Sequence, residues 1–148
     1  MSRLTIRPVE REDRVAWERL YRGYGDFYKV GMTHKTLQTV WGWLHDPKTV
    51  VEGLVAVRDD QLIGLANFRA MPSPLRGSTI GFLDDLYVDQ QARGAKVGEK
   101  LLARLKQIAV ERGWDKIRWI TTDDNYRARS LYDRVAVKTK WNTYEMIP

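Results

Sequence analysis

The sequence predicts a mixed α/β layer structure, and three observations carry that reading. Apolar residues alternate with period two over "EGLVAVR" and "QLIGLANFRAM", and an apolar run follows in "TIGFLDDLYV". They recur with helical period at Val97, Leu101, Leu102, Leu105, Ile108 and Ala109. Strand and helix signals succeed one another along 148 residues, the size of one typical domain, with no repeat, low-complexity stretch or linker between them. The predicted order is β-α-α-β-β-β-α-β-α-β, in a single domain over 1–148.

Each element has a local cause. "LTIRPV" (4–9) alternates and is ended by Pro8. Val15, Trp17, Leu20, Tyr21, Tyr24 and Tyr28 stand at near-helical spacing within 10–29, where Gly23 and Gly25 weaken the end of the helix. Thr33 can cap a second helix bearing Leu37, Val40, Trp41 and Leu44, which "HDP" (45–47) terminates. Asp59-Asp60 is the turn of a hairpin, and "PSPLRGS" (72–78) is a loop leading into the strand 79–88. The helix from Val97 is closed by Gly113. "DKIRWITT" (115–122) reads as a strand, Asn125 to about Ala136 as a short helix, and "WNTYEMI" (141–147) as a last strand.

Composition removes several function classes. There is no cysteine, which excludes disulfides, thiolate metal sites and a cysteine nucleophile. His34 and His45 stand in no recognised metal spacing, so no metal is expected. No apolar run approaches the roughly 20 residues that span a bilayer. "MSRLTIRPVERED" lacks the apolar core of a secretory signal, so a cytoplasmic location and no membrane partner are expected. The net charge of +6 favours an anionic partner, either a nucleic acid or a polyphosphate cofactor. Neither an aromatic-basic strand signature nor a helix-turn-helix pattern is present, which argues against a nucleic-acid module.

Two segments carry chemistry. In Arg93-Gly94-Ala95-Lys96-Val97-Gly98 a strand runs into a helix through a glycine-bearing turn. The first N–H groups of a helix have no intrahelical partner, and the dipole draws anions to that end. The Walker pattern fails because Glu99-Lys100 follows Gly98, and the dinucleotide fingerprint fails for want of a third glycine. The second segment is Asp84-Asp85, two carboxylates inside an apolar strand. Adjacent strand residues face opposite ways, so one meets solvent or a substrate cleft while the other is capped or paired. A bulge or turn is the alternative account. As chemistry, the pair can supply a general base or a carboxylate that holds a cationic amine.

"LYVDQQARGAKVGEKLL" resembles motif A of the GNAT superfamily of acetyl-coenzyme A-dependent N-acetyltransferases, with Arg93 and Gly98 in register and Lys96 on the middle glycine. "NYRARSLYDRV" is similar to a second motif of that family through Asn125, Ala128, Leu131 and Tyr132, although Val135-Ala136 replaces its usual Gly-Phe. The resemblance implies a central mixed sheet whose strands splay apart, flanked by helices. It implies that the pantetheine arm of acetyl-coenzyme A pairs with Leu86, Tyr87 and Val88. The pyrophosphate would rest on the N–H groups of Arg93, Gly94, Ala95, Lys96, Val97 and Gly98, and Asn125 would bond the arm. Tyr132 would stand near the thioester sulfur as general acid, without which it reads as a core tyrosine.

Asp84 is the favoured base, with Asp85 close behind. Tyr24, Asp26 and Tyr28 are candidate acceptor contacts, with an aromatic core stripe as the alternative. Among the six tryptophans, Trp41, Trp43, Trp114 and Trp119 fit either burial or a subunit interface. The expected activity is acetyl transfer to a primary amine of a small molecule, a polyamine, an amino acid or a lysine side chain, in a ternary complex. A homodimer is the expected assembly. The alternative within the same fold is a regulatory protein that binds acetyl-coenzyme A without turnover.

Overall fold

The computed structural model describes residues 3–92 and 96–148. Five strands form one sheet in the order β1-β2-β3-β4-β5: β1 Leu4–Pro8, β2 Val51–Arg58, β3 Gln61–Ser73, β4 Ser78–Val88 and β5 Ile117–Arg118. The first four pair antiparallel and β5 joins β4 in parallel. That parallel step needs a crossover, and α3 (Val97–Arg112) supplies it. α1 (Arg14–Phe27) and α2 (His34–Leu44) lie between β1 and β2 in sequence, and α4 (Tyr126–Val135) follows β5.

Apolar faces on both sides of the sheet give three layers. Leu101, Leu105 and Ile108 of α3 meet Leu54, Ala66, Phe68 and Leu83 on one face. Trp17, Leu20, Leu37 and Trp41 of α1 and α2 meet Val55, Leu62 and Leu65 on the other. The β2–β3 turn has positive φ at both Asp59 and Asp60, a conformation that aspartate tolerates and that matches the twist of a hairpin. α3 ends with Gly113 at φ 76°, and the Trp114 N–H reaches back to the Ala109 carbonyl. This delivers Trp114 onto Gly81, where an added Cβ would stand 2.7 Å from the indole.

Asp13 anchors the start of α1. It is 6% exposed, takes both Arg7 guanidinium nitrogens at 2.8 and 2.9 Å, and accepts the Glu10 N–H at 2.7 Å. The Arg7 hydrogen bond holds its carboxyl below the usual carboxylate range, against the opposing effect of burial. Asp13→Asn is expected to cost about 2 kcal/mol at neutral pH, because it removes the buried, bidentate partner of Arg7 and leaves that guanidinium only the exposed Glu10 at 3.8 Å. Since the folded-state pKa is depressed, that stability is present above the unfolded carboxylate pKa and is lost as pH falls through the lower folded value. Chemical denaturation of both proteins across that range checks the size and the sign.

Three sequence expectations are corrected. The strand over 115–122 shrinks to Ile117–Arg118, because β4 offers it only Gly81 and Phe82 before the two diverge. No strand forms at 141–147, since alternation supplies propensity but no ladder partner within the described chain. The loop at 72–78 is shorter, as β3 runs to Ser73 and β4 starts at Ser78. The glycines of α1 do not end it early. Gly23 lies against β4, and a Cβ there would come within 2.9 Å of the Tyr87 hydroxyl oxygen.

Candidate active site

The aspartate pair sits on a β-bulge. Asn67 is opposite Asp85 and Phe68 is opposite Leu83, so Asp84 is the extra residue. The bulge sends the two carboxylates to different partners. Asp85 Oδ2 accepts the Tyr21 hydroxyl at 2.8 Å and the Asn67 amide at 3.0 Å. Both Asp84 oxygens face Arg69 Nε, at 3.2 and 3.1 Å. Burial lifts the Asp84 carboxyl above its ordinary pKa, although Arg69 pulls the other way.

Burial, reinforced by the negative charge of Asp85, pushes the Tyr21 and Tyr24 phenols far above their ordinary range. Both stay protonated, and Tyr21 donates to Asp85. Asn67 is 2% exposed, and its Oδ1 has no donor among the described residues. Tyr21, Trp43, Asn67, Arg69, Asp84 and Asp85 share an open cleft of ≈ 710 Å³ on the α1–α2 side of the sheet.

A second cleft, of ≈ 330 Å³, opens where β4 and β5 part. Beyond the Phe82–Arg118 pair, no strand stands beside β4 on that edge among the described residues. Leu86, Tyr87 and Val88 form one wall, the first turn of α3 from Lys96 to Glu99 closes one end, and Asn125, Leu131 and Tyr132 form the facing wall. Gly98 keeps the floor low: a Cβ there would meet Leu131 at 3.4 Å and Val88 at 3.8 Å. The shape suits acetyl-coenzyme A. An apolar slot with a strand edge is the right form for a pantetheine arm, and the N–H groups of the first turn of α3 are of the kind that donate to a pyrophosphate.

Lys96 is exposed and left-handed, at φ 57° and ψ 33°. Glycine adopts that conformation without strain, whereas lysine pays about 1 kcal/mol for it. Arg93, Gly94 and Ala95 lie outside the described residues. Asn125 donates its amide to the Tyr28 hydroxyl and to Thr121 Oγ1, both at 3.2 Å. Tyr132 packs edge-on against Trp119 at 5.3 Å. Burial, with a lesser contribution from Tyr28, pushes its phenol up to about 12.

Aromatic rings join the two clefts. Tyr21 stacks on Tyr24, which meets Tyr28 at 5.0 Å and Tyr87 at 6.0 Å. Tyr24 and Tyr28 therefore stand between the aspartates and Asn125, with Tyr28 in the wall of the second cleft. Asp26 does not join them: it is exposed and lines neither cleft. Of the four tryptophans considered for burial, Trp41 and Trp114 are buried, while Trp43 is exposed at the first cleft. Asn67 and Arg69 belong to the site although the sequence did not mark them. Their one signal is two polar side chains interrupting the apolar alternation of β3.

Among the described residues no helix is long and apolar enough to cross a membrane, and no group of three or more acidic or histidine side chains is set to hold a metal ion. Residues 17–136 match the model of the acetyltransferase (GNAT) family. The chain is 30% identical over 140 residues to the D-amino-acid N-acetyltransferase HPA3 of Saccharomyces cerevisiae, covering 93% of this chain and 87% of that one. It is 26% identical over 132 residues to the uncharacterized N-acetyltransferase YhfO of Bacillus subtilis, covering 88% and 87%. The fold is shared with the aminoglycoside N-acetyltransferase AAC(6')-Iy in complex with CoA, at a TM-score of 0.85 and 17% identity over 99% and 96% of the two chains. It is shared too with the ribosomal-protein-alanine N-acetyltransferase of Brucella melitensis biovar Abortus 2308, at 0.82 and 24% over 98% and 99%.

Proposed function

The chain belongs to the acetyltransferase (GNAT) family of acetyl-coenzyme A-dependent N-acetyltransferases, and from that premise we propose that it acetylates a primary amine by direct attack on the thioester, the amine entering from the cleft of the paired aspartates. The observation that carries this reading is the convergence of two clefts on β4. One has a shape and a strand edge that suit acetyl-coenzyme A, and the other holds two carboxylates with the Tyr21 phenol against Asp85. The co-substrate supplies an activated acetyl group. The remaining chemistry belongs to this chain.

An aliphatic amine has a pKa near 10 and arrives as an ammonium ion. Asp85, fixed by Tyr21 and Asn67, offers it a negative charge that does not move. Asp84, whose carboxyl is lifted by burial, takes the proton directly or through one water. The Tyr132 hydroxyl serves the sulfur, and Asn125 with the edge Leu86–Val88 holds the arm. Absence of cysteine removes a thiol acyl carrier, which supports one-step transfer in a ternary complex. The yeast relative named for D-amino acids makes free amino acids of either hand the first acceptors to try, ahead of polyamines and lysine peptides.

Initial-rate kinetics tests the order of events. Double-reciprocal lines for acetyl-coenzyme A at several acceptor concentrations are expected to intersect. Parallel lines would mean an acetylated enzyme and would overturn direct transfer. Lys96 gives a separate test of the coenzyme A cleft. Lys96→Gly is expected to keep or raise stability by up to about 1 kcal/mol, since it relieves the left-handed lysine. The same variant should bind coenzyme A more weakly at low salt, with the difference from wild type closing as salt rises. Calorimetric titration across a salt series reads this. An unchanged affinity at every salt concentration would show that the charge plays no part.

A further inference from the structure

The charges in the aspartate cleft do not all cancel within the chain. Arg69 pairs with Asp84 at 3.1 Å and lies over the Phe82 ring at 4.9 Å, so this cation is engaged on two sides. Asp85 meets neutral donors, Tyr21 and Asn67. Lys48 lines the same cleft and stands in no ion pair among the described residues. One negative and one positive charge are therefore left to a ligand. A polyamine would bring a second positive charge towards Lys48, and a simple amine would leave Lys48 without a counter-charge. A zwitterion answers both.

The Lys48 side chain is exposed, but its backbone is held. Asp46-Pro47-Lys48-Thr49 is a tight turn, in which the Thr49 N–H bonds the Asp46 carbonyl at 3.1 Å and the Lys48 N–H bonds Asp46 Oδ1 at 2.9 Å. Pro47 presets φ at its second position. The Thr49 hydroxyl donates at 2.6 Å to the Trp43 carbonyl, which ties the turn to the end of α2. Val40, Trp43 and Val50 join Lys48 in the lining, and the last two are 47% and 56% exposed. A cation thus stands on a fixed turn with apolar side chains beside it.

We propose that Lys48 binds a carboxylate of the acceptor while Val40, Trp43 and Val50 bind its side chain, so that the cleft selects an α-amino acid with an aromatic or aliphatic side chain. The assignment rests on this cleft being the acceptor side of an acetyl transfer. The ammonium lies at Asp85 and the carboxylate at Lys48, away from the reacting atoms, so Lys48 governs which amine is taken.

Phenylalanine of either hand and phenethylamine share an amine and a ring and differ in the carboxylate. Thiol release by the full chain is expected to favour one hand of phenylalanine over phenethylamine and spermidine in kcat/KM. Lys48→Ala should lower the phenylalanine-to-phenethylamine ratio of kcat/KM about fivefold, chiefly through the KM for phenylalanine. Lys48→Arg should keep the ratio, and Lys48→Glu should turn the preference towards phenethylamine. Circular dichroism confirms that each variant is folded. A ratio unmoved by Lys48→Ala, or a wild type that prefers phenethylamine or spermidine, overturns the proposal and leaves acetyl transfer standing. Calorimetric titration of phenylalanine into coenzyme A-loaded protein reads the same contact without turnover. Binding about fivefold weaker in Lys48→Ala supports the proposal even where no acceptor raises thiol release, and no binding of either hand overturns it.

Discussion

Asp84→Asn lowers kcat for acetyl transfer by about 10²–10³-fold and leaves coenzyme A affinity unchanged. The bulge makes Asp84 the extra residue of β4 and gives it a partner of its own in the cleft it shares with Asp85, and the pairing with Arg69 orients both oxygens. An amide keeps the shape and one acceptor for Arg69, so the fold survives and only the proton acceptor is lost. Burial raises the carboxyl pKa, which brings it nearer the working pH and improves it as a base. The wild-type rate should therefore fall on the acid side as Asp84 takes up its proton, and the variant should lack that limb. Asp85→Asn is the contrast. Its carboxylate is already held by Tyr21 and Asn67, so its loss should raise the acceptor KM more than it lowers kcat. Steady-state kinetics across pH on the three proteins separates the roles. Equal kcat in Asp84→Asn and wild type would remove Asp84 as the base.

Tyr132→Phe lowers kcat about 10–100-fold with little change in either KM. The magnitude follows from the loss of one hydrogen bond to a developing charge, about 1.5–3 kcal/mol. A phenol pushed up to about 12 holds its proton more tightly than a departing thiol, whose ordinary pKa is about 8.5. Tyr132 is thus suited to hydrogen-bond the thiolate as charge develops rather than to surrender its proton fully, which refines the general-acid role implied by the motif. Phenylalanine keeps the edge contact with Trp119, so the wall of the cleft stays in place. The rate should stay flat through mildly alkaline pH. An alkaline limb near pH 8 that vanishes in Tyr132→Phe would show full proton transfer from this residue instead.

Local physics made much of this site legible. The apolar spacing from Val97 to Ala109 and the polar cap at Thr33 describe their helices directly, and both form as spaced. Asn125 and Tyr132 lie seven residues apart on one helix and its cap, so they reach one cleft together. What stayed hidden depended on pairing between distant segments. A bulge at the aspartates was one of the two accounts open from sequence, but its place at Asp84 is set by β3 holding Asn67 against Asp85, and the Tyr21–Asp85 bond spans 64 residues. Asp26 stands with Tyr24 and Tyr28 in sequence but not in space. On a helix, i and i+4 share a face while i+2 points away, which leaves Asp26 in solvent. The segment 141–147 shows the converse: its alternation is real, but no strand pairs with it among the described residues.

Acetyl transfer from acetyl-coenzyme A to an amine is the activity that the family and the two clefts support. The most direct measurement is thiol release from acetyl-coenzyme A by the full chain, against D- and L-amino acids, polyamines and a lysine peptide, with N-acetylated product followed by mass. At least one acceptor is predicted to raise thiol release above the acceptor-free rate, matched one for one by product and lost in Asp84→Asn. Saturable binding of acetyl-coenzyme A with no acceptor-dependent release across the panel would contradict it, and would leave a protein that binds the thioester without turning it over.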